Sequence, residues 1–280
     1  MDTSGLRAWV GRHETHEDSV TAGALARMAA LLDREPADWS PGTPVPELWH
    51  WAYCLPSERQ SGLGVDGHPS RGGFLPPAAL PRRMWAGSKL RFVRPLAVGA
   101  AIRRRSTIAE VAQKEGRTGA LIFVTVHHEV SDAQGAVIEE TQDVVYRDAP
   151  RPGEAGSTAM PDEAAQWTRT IHPDPTLLFR YSALTFNSHR IHYDRPYSRD
   201  EEGYPGLVVH GPLIATLLVD LVHREFPGAR LESFEFRGVR PLIDTAPFEV
   251  CGRMGDGGAI SLWARDSEGR LATTASVRLA

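Results

Sequence analysis

Apolar side chains recur at helical spacing in two stretches of the chain. Between residues 19 and 33, Val20, Ala24, Leu25, Met28, Leu31 and Leu32 share one face, Ser19 and Thr21 are candidate caps, and Pro36 follows. That spacing predicts an amphipathic helix. Between 212 and 226, Leu213, Ile214, Leu217, Leu218, Leu221 and Val222 form a wide apolar stripe closed by Pro227-Gly228, the strongest helix signal in the sequence. Other segments are rich in β-branched residues and partly alternate, predicting strands over 89–96, 101–111, 119–130 and 137–146, then over 231–239, 248–251, 259–265 and 271–279. In the third of these, Ile122, Val124, Val126 and Val130 share one face, as alternation requires. The Gly/Pro-rich stretch from Gly62 to Pro81 accommodates no regular element and predicts a long ordered loop.

The plan repeats. Val93-Arg94-Pro95-Leu96 is matched by Val239-Arg240-Pro241-Leu242, and the turn Asp132-Ala133-Gln134-Gly135 by Asp266-Ser267-Glu268-Gly269. Order and strand context favour duplication of a helix-plus-antiparallel-sheet unit, an α+β architecture. The expected halves are 1–147 and 166–280, joined by a Pro/Gly-containing linker over 148–165.

Composition narrows the function. With 41% hydrophobic and 24% charged residues the chain can bury an ordinary core, and two cysteines are too few for a disulfide framework. A formal charge of -4 gives no footprint for nucleic acid, so an anionic ligand needs a local basic pocket. No apolar run approaches a membrane span and the first residues lack a leader pattern, so the expected location is the cytoplasm.

Candidate chemistry concentrates where Tyr181-Ser182-Ala183-Leu184-Thr185-Phe186-Asn187-Ser188-His189-Arg190-Ile191-His192-Tyr193-Asp194 leads to Val209-His210-Gly211-Pro212 and the strong helix. N–H groups in a first helical turn lack internal partners and can stabilise an oxyanion, and Gly211 leaves that surface open. Hydration of an enoyl thioester needs this feature together with a group that takes a proton from water and returns one to carbon. His192 suits both directions of transfer, whereas Asn187 can hold water but cannot accept its proton.

This segment resembles the MaoC-like (R)-specific hydratase/dehydratase family, whose pattern is Asp-x-Asn-Pro-x-His followed by His-Gly at the start of a central helix. The resemblance places His192 on the catalytic histidine, Gly211 on the oxyanion-hole glycine, and Asn187 where the family carries aspartate. Asp66-Gly67-His68-Pro69-Ser70-Arg71-Gly72-Gly73-Phe74-Leu75-Pro76-Pro77 and Pro81-Arg82-Arg83-Met84-Trp85-Ala86-Gly87 resemble the first half of a branch containing mitochondrial type 2 hydroxyacyl-thioester dehydratases and bacterial 3-methylfumaryl-CoA (mesaconyl-CoA) hydratases. It implies a double hot-dog fold with one degenerate and one catalytic half. It also implies a CoA or acyl-carrier thioester substrate, no cofactor, and compatibility with a homo-oligomer.

Secondary candidates carry plainer alternatives. Asn187 can be a turn residue, and His210 a substrate-binding residue or a helix-packing one. Arg237 and Arg240 can meet CoA phosphates or lie on a solvated strand face. No metal is expected, because His13-Glu14-Thr15-His16 lacks the helical His-Glu-x-x-His spacing. Rival functions are dehydration of a (R)-3-hydroxyacyl thioester, a hot-dog thioesterase, and a non-catalytic acyl-thioester-binding subunit.

Overall fold

The alternating runs fold as strands and the two striped segments as helices in the structure, a computed structural model that describes residues 4–116, 119–148 and 157–280. The first half contains α1 (Ser4–Arg7), β1 (His13–Ser19), α2 (Ala22–Leu31), β2 (Arg82–Phe92), β3 (Ala101–Gly116), β4 (Gly119–Asp132) and β5 (Gly135–Arg147). The second contains β6 (Trp167–Ile171), α3 (Pro175–Leu184), α4 (Gly211–Glu225), β7 (Leu231–Gly238), β8 (Phe248–Met254), β9 (Ala259–Asp266) and β10 (Leu271–Leu279). Of these, α1, β1, β6 and α3 were not anticipated by periodicity, and β2 begins at Arg82 rather than 89. The predicted linker lies partly outside the described residues, which omit 149–156.

One ten-stranded sheet runs β1-β3-β4-β5-β2-β7-β10-β9-β8-β6, antiparallel throughout. Counted inward from its own edge, each half places its first strand, then its third, fourth, fifth and second. The topology is therefore duplicated as well as the motifs. The halves meet at β2 and β7, paired from Gly87↔Arg237 to Arg91↔Ser233. Only glycine fits at 87, where an added Cβ would lie 2.3 Å from the Phe236 carbonyl oxygen.

The repeated sequence landmarks turn out to be partners of one another. Arg94 Nη1 donates to Asp132 Oδ2 at 2.8 Å, and Arg240 Nη1 lies 3.1 Å from Asp266 Oδ2. Each half thus uses its Val-Arg-Pro-Leu arginine to fasten its own hairpin turn.

The main core wraps the sheet around both long helices: Leu25 and Met28 of α2 and Leu213, Leu217 and Leu218 of α4 pack with Leu90, Phe234, Phe236, Val250 and Leu262. Pro212 near the start of α4 and His223 and Arg224 in its last turn are each favourably placed. Asp220 of α4, almost fully buried, receives Arg224 (2.7 Å) and Arg169 (2.8 Å) from its own half and Arg34 from the other. A second cluster, including Ile122, Val124, Val126, Val144 and Tyr146, is covered by Ala78 and Leu80 of the Gly/Pro-rich loop. Among the described residues no helix is long and apolar enough to cross a membrane.

Candidate active site

His192 ends a single 3-10 turn (Arg190–His192) whose surroundings fix its ring. The Val208 N–H donates to the Ile191 carbonyl at 3.0 Å, and Val208 bridges Ile243, so the Val208 carbonyl is held rigidly. That oxygen lies 2.7 Å from His192 Nδ1. A carbonyl can only accept, so Nδ1 carries the proton and the Nε2 lone pair is left to act as a base. Burial lowers the His192 pKa to about 4, which keeps the ring neutral at neutral pH.

His192 belongs to a row of imidazoles that crosses between the halves. His210 stacks on it with ring centroids 3.7 Å apart, His189 stands edge-on at 5.3 Å, and His68 lies 4.1 Å beyond His189. At the far end, Asp66 accepts the His68 backbone N–H at 3.0 Å and sits 3.1 Å from its Nδ1. Burial pushes the His189 pKa down to about 2, helped by the neighbouring His68 and His192, and lowers those of His68 and His210. The row is neutral, and it begins in the half expected to be degenerate.

The contact between halves is tight here. Gly67 has φ +86°, and an added Cβ would lie 1.9 Å from the Ser188 carbonyl oxygen. The Ser188 hydroxyl donates to the Gly67 carbonyl, the Arg190 N–H to that of Asp66 (2.9 Å), and Arg190 Nη1 to that of Val65 (3.0 Å). The Gly/Pro-rich loop therefore forms one wall of the candidate site. Sequence reasoning assigned Asp66, Gly67 and His68 no role, because no local spacing signals a contact between segments so far apart in the chain.

The other predicted residues divide. Gly211 opens α4 with nothing within 4 Å of an added Cβ; its N–H meets no acceptor among the described residues, and Pro212 next to it has none to offer. Asn187 Oδ1 accepts the His189 N–H at 3.0 Å, so the turn role is present. Its Nδ2 has no partner among the described residues and can still donate to a ligand. His210 is fully buried against His192 and makes no side-chain cap; its Nε2 lies 2.8 Å from Ser182 Oγ, while its Nδ1 has no partner among the described residues. The Arg240 guanidinium, partly exposed, lies 3.1 Å from Asp266 through Nη1. Arg237 is exposed on β7 opposite Gly87 and is joined to the histidine row by no contact among the described residues.

The expectation of no metal rested on sequence spacing, and distant residues alter that picture. Ligand atoms of Asp66, His68 and His189 lie within 4.8 Å of one another, a group able to hold a cation. Against this, Asp66 is already engaged by His68, and the Arg83 guanidinium acts on all three groups.

Comparison with known proteins identifies the family of the chain. The family model for hydroxyacyl-thioester dehydratase type 2 matches residues 48–244. The chain belongs to that family. The matched stretch of this type 2 dehydratase family includes both Asp66–His68 and His192–Gly211, so the family unit crosses the expected boundary between halves. The chain is 46% identical over 280 residues, 100% of its length and 99% of the relative's, to a mesaconyl-C(4)-CoA hydratase of Chloroflexus aurantiacus. It is 27% identical to a mitochondrial type 2 hydroxyacyl-thioester dehydratase of Schizosaccharomyces pombe, covering 82% of this chain and 83% of that one. A double-hotdog protein of Mycobacterium tuberculosis superposes with a TM-score of 0.61 at 13% identity, covering 96% of each chain, in agreement with the expected fold.

Proposed function

We propose that the protein is a hydratase of enoyl-CoA thioesters whose substrate is a short branched dicarboxylic acyl-CoA of the mesaconyl-C4 type. The observation that carries the chemistry is the placement of a neutral, buried His192, with Nδ1 committed to Val208, near the open N-terminus of α4 at Gly211. The substrate class rests on the 46% identity over the full chain to the mesaconyl-C(4)-CoA hydratase.

In this reading the thioester carbonyl accepts the Gly211 N–H, whose partial positive charge stabilises the enolate that forms as water attacks. His192 Nε2 takes the water proton while the oxygen bonds to the β carbon. The imidazolium so formed is poorly solvated and therefore a strong acid, suited to protonating the α carbon. Asn187 Nδ2 orients the water. Because residue 187 cannot transfer a proton, one imidazole handles both steps, and water adds to one face of the double bond. The reverse sequence dehydrates a 3-hydroxyacyl thioester.

The test is a substrate panel followed by loss of the conjugated enoyl-thioester absorbance. The expected result is hydration of the branched dicarboxylic thioester, and at least roughly a hundredfold slower turnover by a folded His192→Ala protein. Release of free thiol instead of hydrated product would indicate a thioesterase. Saturable CoA-ester binding with no turnover across the panel would indicate a binding subunit.

A further inference from the structure

We infer that Arg83 forms the subsite for the free carboxylate of a dicarboxylic acyl thioester, an assignment that rests on the substrate class proposed above. Arg82 and Arg83 are adjacent on β2 and have different surroundings. Arg82 is neutralised by Glu202 at 3.1 Å and lies over the Tyr204 ring at 4.9 Å. Arg83 is only partly exposed and has no carboxylate partner among the described residues.

What faces Arg83 is Tyr146, its directly opposed residue on β5. Tyr146 is fully buried, which raises its pKa; its hydroxyl makes no well-directed hydrogen bond, and the adjacent Arg83 guanidinium opposes that rise. A buried hydroxyl without a well-formed hydrogen bond and a guanidinium without a carboxylate partner together suit an anionic oxygen. Arg71 adds positive charge 5.8 Å from the Tyr146 ring, with its own donors spent on the carbonyls of Ala78, Leu80 and Pro81. Asp66 is the opposing charge, and it is engaged by the ring and the N–H of His68. Two guanidiniums against one committed carboxylate leave the corner electropositive.

The corner also lies in the right direction. Arg83 acts on His189 and His68, which continue the imidazole row beyond His192. In a methylfumaryl thioester the free carboxylate sits on the β carbon, on the side away from the thioester. With the thioester carbonyl at Gly211 and the β carbon at His192, the carboxylate extends toward that end of the row.

Calorimetry with freshly prepared succinyl-CoA and butyryl-CoA, saturated four-carbon thioesters that have no double bond to hydrate and differ in terminal charge, tests the subsite without relying on turnover. The wild-type protein should bind succinyl-CoA at least about tenfold more tightly, and Arg83→Gln, shown folded by its melt, should lose that preference while keeping its affinity for butyryl-CoA. Equal affinities in the wild type, or an undiminished preference in Arg83→Gln, would overturn the inference. Hydration kinetics are read in parallel. A wild-type protein that prefers succinyl-CoA but hydrates only uncharged enoyl thioesters would sink the substrate reading and leave the subsite standing. A protein that hydrates the dicarboxylic thioester with an unaltered KM in Arg83→Gln would sink the subsite alone.

Discussion

Replacing Gly67 with alanine asks whether the first half holds the reactive loop of the second in place. A residue with a side chain at φ +86° costs about 1–2 kcal/mol. The added Cβ would lie 1.9 Å from the Ser188 carbonyl oxygen, against a practical minimum of 3.0 Å, so Ser188 has to retreat by about 1 Å. That retreat loosens the Ser188 hydroxyl bond to Gly67 and the Arg190 N–H bond to Asp66, each worth about 1 kcal/mol. The combined loss of about 2–4 kcal/mol lowers the melting temperature by roughly 5–10 °C. Ser188 is followed by His189 and the turn ending in His192, and an error of about 1 Å at reacting groups costs on the order of a hundredfold in rate. Gly42 is the control: its φ is +90° but nothing lies within 4 Å of an added Cβ, so Gly42→Ala pays the backbone cost with the rate unchanged. Thermal melts and initial rates of both variants decide the matter. A Gly67→Ala enzyme with wild-type kcat and KM would refute the idea that the loop contact sets the geometry of His192.

Because burial lowers the His192 pKa to about 4, kcat/KM for hydration should stay level as pH falls from neutral and drop only near that value; an inflection near 6.5 would contradict it. The folded-state pKa values of His189, His192 and His210 lie below 6.5, so the unfolded chain takes up protons that the folded one does not. Stability present above about pH 6.5 is therefore lost as pH falls toward the folded values, and a urea midpoint independent of pH across this range would contradict the sign. Asn187→Ala loses both the turn acceptor, about 1 kcal/mol, and the donor to water, whereas Asn187→Asp keeps the turn and raises the His192 pKa. Melts and pH profiles check this, and a destabilised but fully active Asn187→Ala protein removes the residue from the mechanism. Asp220→Ala leaves three guanidiniums without their buried partner and should cost about 3–5 kcal/mol by denaturant titration; a loss under about 1 kcal/mol would show the cluster to be solvent-screened. Titration with an unreactive thioester should saturate at one equivalent per chain, and two equivalent sites would contradict a single active centre.

What the sequence concealed follows from physical causes. The strands missed by periodicity, β1 and β6, are the two edges of the sheet; His13–Ser19 is largely exposed and polar, as suits an edge that must not recruit another strand. α3 escaped because only Leu178, Tyr181 and Ser182 are buried in it, too short a stripe to read, although Asp174 caps it by accepting the Leu177 N–H at 2.8 Å. The candidate site is legible where it is local: Asn187, His192, His210 and Gly211 occupy one continuous passage leading into α4. It was illegible where it depends on contact across the halves, so Asp66, His68 and Arg83 stood inside a recognisable stretch without a function.

The two halves hold helices with equivalent topology, and the first turns of these helices differ in how open they are. α4 opens at Gly211 with free space beside it. α2 opens at Ala22, and just before it the Thr21 carbonyl accepts the hydroxyl of Tyr53, a residue only 3% exposed. Tyr53 and the neighbouring Trp49 and Cys54 are buried in the main core, so the start of α2 is packed rather than open. The long insertion responsible lies between α2 and β2, whereas in the second half the long insertion precedes α4 and carries His192. The first insertion closes its own helix start with Trp49–Cys54 and then, through Asp66–His68, reaches across to the second. Closing the start of α2 and walling the candidate site before α4 are thus two consequences of one loop, so the first half contributes to the candidate site of the second.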